Sequence, residues 1–261
     1  MGTALVIEND PTDDLRRLGD WLTEAGLELT VLRPHAGDAL PETLDDYIAL
    51  VVLGGDQSAY SAADGTPGAP WFPELEGLLR KAVRNRVPTL AVCLGAQLLA
   101  QAHGGFVERS TSGSEIGPGL VGKRDAADTD PLFKWVPLLP DVIQWHRDEI
   151  TELPLAAVLL AASSRYPHQA FRLGDRAWGV QFHIECDVEM IERWAADDAA
   201  TLDELGYDAE AVVYAVAEAL PDVEEVWQPF TVRFASLALG TLPDADIPNP
   251  GTGRTLPLLG Q

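Results

Sequence analysis

Apolar positions along this chain recur with two different periods, and the alternation between them sets the first expectations. Ala4 to Ile7 is an unbroken apolar run, and Leu15, Leu18, Trp21 and Leu22 follow at helical spacing, with Gly26 after them. That order predicts a strand, then a helix with Asp10 as its N-cap and Pro11 in its first position, then a glycine stop. Leu27 to Leu32 reads as a second strand. "YIALVVLGG", Tyr47 to Gly55, reads as a third, and its continuous apolar character implies cover on both faces. The Ala/Gly/Pro/Asp-rich stretch from Ser61 to Pro70 reads as an exposed loop. A helix is expected over Trp71 to Arg86 and a strand over Thr89 to Val92. The next helix carries Leu94, Leu98, Leu99 and Ala102 on one face, and Gly104 stands where it ends. Strands alternating with helices across short turns predict a mostly parallel, doubly wound α/β sheet.

After Gly105 the period changes. Short β-rich pieces are expected over Gly105 to Arg109, Leu120 to Lys123, Val142 to Trp145, Ala157 to Ala162, Gln169 to Leu173 and Ala177 to Phe182. Their Gly-, Pro- and Asp-bearing turns suggest an antiparallel β addition to the core sheet. Asp187 to about Leu239 reads as a helical C-terminal segment broken near Gly206 and at Pro221. Residues 241–261 are rich in Pro and Gly and read as an extended tail. With no internal repeat and no long linker, the expected organisation is one domain over residues 1–240 followed by that tail.

Composition narrows the partners. With 18 Lys and Arg against 41 Asp and Glu, the formal net charge is −23, which repels nucleic acid and anionic membranes. Two cysteines in 261 residues make no disulfide framework. No apolar run approaches the roughly 18 residues of a membrane span, and "MGTALVIEND" reads as a strand rather than a secretory leader. The expectation is a cytoplasmic protein with no nucleic-acid or membrane partner.

Candidate chemistry centres on "VPTLAVCLGAQLLAQAHGG". Cys93 closes a strand and precedes a helix, so a tight turn flanked by the small residues Ala91 and Gly95 would hold it at the carboxyl end of the sheet. The helix dipole there favours a thiolate. The same local pattern also fits a buried structural thiol. A thiol nucleophile needs a base and a group to orient it, and "GVQFHIECD" offers both. His183 and Glu185 are two apart on an extended segment, so their side chains share a side. Gly54-Gly55 ends the third strand, where backbone amides can face a developing oxyanion, although a turn pair reads the same way.

Taken together, "VVLGGDQSAY", "PTLAVCLGAQLLAQAHGG", "EIGPGL", "QWHRDEI" and "QAFRLGDRAWGVQFHIE" resemble, in order, the class I (triad-type) glutamine amidotransferases, in particular their GMP-synthase-like free-standing branch. The resemblance spans roughly Leu5 to Glu185. It implies a flavodoxin-like sheet and a Cys93–His183–Glu185 triad acting on the γ-carboxamide of glutamine or a γ-glutamyl amide. The amides of Gly55 and Leu94 would form the oxyanion hole, with Gly54 and Gln97 facing the glutamyl substrate. Trp145, His146 and Asp148 would belong to a loop that faces its α-amino and α-carboxylate groups. No cofactor and no metal is implied. The sequence departs from the family pattern at Ala91, Asp56, Trp145, Arg147 and Ile184. Those changes spare the triad and leave the identity of the γ-glutamyl substrate open.

Several other features read as structural. "GPGLVGKR", Gly117 to Arg124, lacks the Ser/Thr of a phosphate-binding loop and no helix is expected after it. Cys186 is expected to face away from Glu185 and pack. Glu115 and Arg172 are expected to serve the fold. Without a complete nucleotide site, ammonia from glutamine would pass to a separate synthetase. The alternatives are a stand-alone γ-glutamyl peptidase and, less favoured, a catalytically silent regulatory module on the same fold.

Overall fold

The computed structural model describes residues 2–242, and residues 243–261 of the expected tail lie outside the described residues. The central sheet has eight strands: β1 (Gly2–Ile7), β2 (Leu27–Leu32), β3 (Ala49–Val52), β4 (Thr89–Val92), β7 (Gly122–Lys123), β10 (Ala157–Ala162), β11 (Ala170–Leu173) and β12 (Ala177–Val180). Four further strands form two antiparallel pairs: β5 (Phe106–Arg109) with β9 (Asp148–Glu152), and β6 (Glu115–Leu120) with β8 (Asp141–His146). The helices are α1 (Arg16–Glu24), α2 (Phe72–Asn85), α3 (Leu94–Gln101), α4 (Val188–Asp197), α5 (Ala199–Glu204) and α6 (Ala209–Ala238).

The sheet order is β2-β1-β3-β4-β12-β11-β10-β7. Strands β2 through β12 in that order pair in parallel, and β11, β10 and β7 extend the sheet antiparallel. This is the flavodoxin-like, mostly parallel sheet with its antiparallel addition and helical C-terminal segment. The continuous apolar runs of β1 and β3 reflect two covered faces. Ala4, Val6, Ala49 and Val51 join the core beneath α1 and α6. Their neighbours Leu5, Ile7, Leu50 and Val52 join the core beneath α2 and α3.

Three local expectations are corrected. Asp10 does not cap a helix starting at Pro11: α1 begins at Arg16, and Asp10 Oδ1 instead accepts from the amide and hydroxyl of Thr12 at 2.9 and 2.8 Å. The loop this leaves after β1 reaches the functional cavity. Pro221 does not break the C-terminal helix, because α6 runs through both Pro221 and Pro229. Val216, Leu220, Val223, Trp227, Phe230 and Phe234 bury one continuous face of it, and that burial outweighs the roughly 3 kcal/mol an interior proline costs. The helix after Cys93 is buried from Leu94 through Ala100 rather than on one face. Its Gly95 lies against β3, where a Cβ would overlap the Val52 carbonyl oxygen. "GPGLVGKR" runs through strands β6 and β7 with no α-helix directly after it, so the strand–loop–helix of a phosphate-binding loop is not formed there.

Candidate active site

Four adjacent parallel strands, β1, β3, β4 and β12, end on the same side of the sheet, and the segments that follow them converge. A cavity of about 330 Å³ opens there. Strand order reverses direction between β1 and β3, the place where a doubly wound sheet leaves room for a ligand.

Cys93 follows β4 directly and takes φ 49°, ψ −111°, a left-handed conformation that is uncommon and strained for a residue with a side chain. The turn is held from both sides: the Cys93 amide donates to Val180 O at 2.8 Å, and its carbonyl accepts from the Gln97 amide at 3.0 Å. Cys93 is 6% exposed and lines the cavity. Gln181 Nε2 lies 3.6 Å from its sulfur.

His183 and Glu185 follow β12. His183 Nδ1 and Glu185 Oε1 are 2.6 Å apart, and Glu185 Oε2 accepts from the Ile184 amide at 2.8 Å. Glu185 is fully buried behind the histidine, which itself lines the cavity. Trp194 packs edge-on against the imidazole at 4.7 Å and donates from Nε1 to Thr12 O at 2.9 Å. Burial alone would push the His183 pKa down. The Glu185 carboxylate and the Cys93 sulfur outweigh it and hold the imidazole well above its ordinary value.

The remaining predicted residues divide. Gly55, Gln97, Trp145, His146 and Asp148 line the same cavity as Cys93 and His183. Gln97 Nε2 reaches Gln181 Oε1 at 3.2 Å and Asp148 O at 3.4 Å. Trp145 Nε1 donates to Asp198 Oδ2 at 2.8 Å, which fixes its ring on one wall. His146 is buried with Nε2 2.8 Å from Gln144 Oε1, and its pKa is lowered because burial exceeds the pull of Glu115. Leu94 and Gly54 do not line the cavity; Leu94 begins α3, and Gly54 backs onto Asp13. Arg147 and Asp56 pair at 2.8 Å, joining the β8–β9 turn to the segment after β3.

Cys186 does not face away from Glu185. The chain after Val180 leaves the strand, so strand alternation no longer applies, and Cys186 Sγ lies within 4.8 Å of ligand atoms of both His183 and Glu185. Among the described residues these three are the one group that could share a metal ion, but the His183–Glu185 contact already occupies two of them. Arg172 Nε pairs with buried Asp130 at 2.8 Å, a contact away from the cavity, whereas Glu115 accepts from Ser163 Oγ at 2.8 Å and also stands 3.4 Å from His146 Nε2 on the cavity side.

Sequence reasoning missed Asp13, Gln181 and Trp194. Gln181 carried a usable signal, since it stands two positions before His183. Asp13 and Trp194 carried none, because only the packing of the loop after β1 and of α4 brings them to the cavity.

The sequence profile described as glutamine amidotransferase class-I matches residues 16–191. A glutamine amidotransferase-like protein, YfeJ, of Salmonella typhimurium is 33% identical over 172 residues, covering 66% of this chain and 71% of that protein. Gamma-glutamyl peptidase 3 of Arabidopsis thaliana is 29% identical over 57% of this chain and 58% of its own length. A glutamine-hydrolyzing GMP synthase of Christiangramia forsetii is 35% identical over 56% of this chain but only 26% of its own length. A crystal structure of a glutamine amidotransferase from Thermotoga maritima superposes with TM-score 0.79 at 27% identity, covering 90% of this chain and 98% of that one. Among the described residues no helix is long and apolar enough to cross a membrane.

Proposed function

We propose, for a chain that belongs to the class-I glutamine amidotransferase family, hydrolysis of the γ-carboxamide of glutamine or a γ-glutamyl amide by Cys93, His183 and Glu185. The observation that carries this is the meeting of an elbow cysteine with a buried imidazole whose Nδ1 lies 2.6 Å from a buried carboxylate, in one cavity. Cys93 Sγ attacks the amide carbon as His183 takes the thiol proton. The Gly55 amide on the cavity wall and the backbone amide of Leu94, which follows Cys93 directly although its side chain packs away from the cavity, receive the developing oxyanion. His183 returns the proton to the leaving nitrogen, and ammonia or an amine departs from a γ-glutamyl thioester. Water then attacks the thioester with His183 as base, glutamate leaves and the thiol is restored. Glu185 holds the imidazole with Nε2 toward the sulfur. Gln97, Trp145, His146 and Asp148 position the glutamyl moiety, and ammonia released from glutamine passes to a separate synthetase.

A stand-alone γ-glutamyl peptidase is the second reading. The likeness to the Arabidopsis peptidases and the bulk of Trp145 and Arg147 on the cavity wall favour it. Glutamate release from glutamine and from a panel of γ-glutamyl peptides and amines separates the two. Robust turnover of the panel without any added protein sinks the ammonia-donor reading. An absence of turnover on every substrate, with Cys93 inert to a glutamine-analogue electrophile, sinks both.

A further inference from the structure

A second carboxyl lies buried beside Glu185, and the chemistry just described does not use it. Asp13 sits in the loop after β1, is 4% exposed, and reaches the wall of the same cavity. The loop is pinned in place. The Asp13 amide donates to Asp10 O at 3.3 Å, Trp194 Nε1 holds the neighbouring Thr12 carbonyl at 2.9 Å, and the Arg17 amide donates to Glu185 O at 3.2 Å. The Asp13 side chain meets the Glu185 carboxyl within hydrogen-bonding reach. Even so, Asp13 Oδ1 is buried with no donor to satisfy it. Gly54 makes the room: a Cβ there would overlap Asp13 Oδ2 and stand 3.0 Å from its Cγ.

Two buried carboxylates in contact do not both ionise; one proton between them leaves a single negative charge. A proton on Asp13 also turns its orphaned oxygen into part of a donor, which resolves the unsatisfied group. We propose that Asp13 is a neutral carboxyl that donates a hydrogen bond to Glu185 and is thereby a positioning residue for the His183 imidazole. This rests on the triad reading above. Glu185 then accepts from three donors, His183 Nδ1, the Ile184 amide and Asp13, and stays the anion that His183 requires.

The titratable groups facing Asp13 are consistent with this state. Glu185, His183 and Cys186 face it from the segment after β12, and Asp10 from its own loop. Burial is the main reason the carboxyl keeps its proton well above the usual range; His183 opposes, and Glu185 and Asp10 reinforce. His183 is the one group among them that can carry positive charge, and Glu185 already engages it.

The test uses the full chain with Asp13→Ala, Asp13→Asn, Gly54→Ala and Cys93→Ala. Three quantities are measured: kcat/KM for glutamate release, the rate of Cys93 labelling by a glutamine-analogue electrophile, and the infrared difference spectrum of wild type minus Asp13→Asn at neutral pH. Asp13→Ala and Gly54→Ala are expected to slow both rates roughly 10- to 100-fold, the range lost when the outer partner of a functional histidine is removed. Asp13→Asn, whose amide still donates to Glu185, is expected to recover most of that loss. The carbonyl-stretch band of a protonated carboxylic acid is expected in wild type and absent from Asp13→Asn. A wild-type spectrum without that band, an Asp13→Ala enzyme as fast as wild type, or an Asp13→Asn enzyme as slow as Asp13→Ala overturns the proposal. A wild type as inert as Cys93→Ala overturns the triad reading instead, and the infrared band still decides the state of Asp13 by itself.

Discussion

Replacing Glu185 by glutamine keeps its volume and removes its charge, and the geometry says what must follow. Each carboxylate oxygen of Glu185 has a neighbouring donor: His183 Nδ1 at 2.6 Å on Oε1 and the Ile184 amide at 2.8 Å on Oε2. Glutamine offers one acceptor oxygen, so one of those donors must face an NH2 group instead. The larger effect is electrostatic. Unit charges 2.6 Å apart attract by about 6 kcal/mol at an effective dielectric of 20, a ceiling on what the imidazolium can lose. Six kcal/mol corresponds to about 10⁴-fold in rate, and removing or neutralising the orienting carboxylate of a triad costs roughly that much. Cys93→Ala and His183→Ala should each cost roughly 10⁶-fold, because nucleophile and base act as one unit. The assay is kcat/KM for glutamate release against pH, paired with the Cys93 labelling rate, which needs no partner protein. Glu185 raises the proton affinity of His183, so its loss lowers it, and the acid limb of the Glu185→Gln profile, where His183 must be unprotonated to act as base, should move to lower pH. A loss equal to that of His183→Ala, or an unmoved acid limb, refutes an orienting and charge-stabilising role for Glu185.

Three further outcomes concern stability. Asp13 has a folded-state pKa raised by burial, so its contribution is fully present below the unfolded carboxylate pKa near 3.9 and is lost as pH rises through the folded value. Asp13→Asn should therefore raise Tm at pH 7, with the gain shrinking as the pH approaches 4; a gain that grows on acidification contradicts the sign. Trp227→Ala should cost about 3–5 kcal/mol in denaturant unfolding, since the ring is fully buried between Phe133, Phe182 and Phe230 and its Nε1 donates to Asp141 O at 2.8 Å. Pro221→Ala should stabilise the chain by about 1–2 kcal/mol, because an exposed ring inside α6 gives way to a backbone donor; a lower midpoint means that the proline is a favourable part of the helix.

Much of the fold was legible. Leu27 to Leu32, Thr89 to Val92 and Ala157 to Ala162 are strands with the bounds the sequence predicts, because short apolar runs between turn residues have few other ways to be buried. Strand β9 was missed: Asp148–Glu152 carries one apolar residue, Ile150, and pairs only with β5, so its local pattern is weak and its partner distant. The helix start moved from Pro11 to Arg16 because Asp10 satisfied its oxygen within its own turn.

What the sequence determined alone was local chemistry: a thiol between a strand and a helix, an imidazole and a carboxylate two residues apart, and a glycine pair at a strand end. Periodicity and short spacing encode such features directly. The tertiary structure decided which of them meet. Parallel pairing of β1, β3, β4 and β12 brings the segments after all four strands to one cavity, although Asp13 and His183 are far apart in sequence. That convergence also buries Asp13 against Glu185 and makes room for it at Gly54. No local pattern announces such a contact, because the free energy of a buried carboxyl depends on the neighbours that the sheet order supplies.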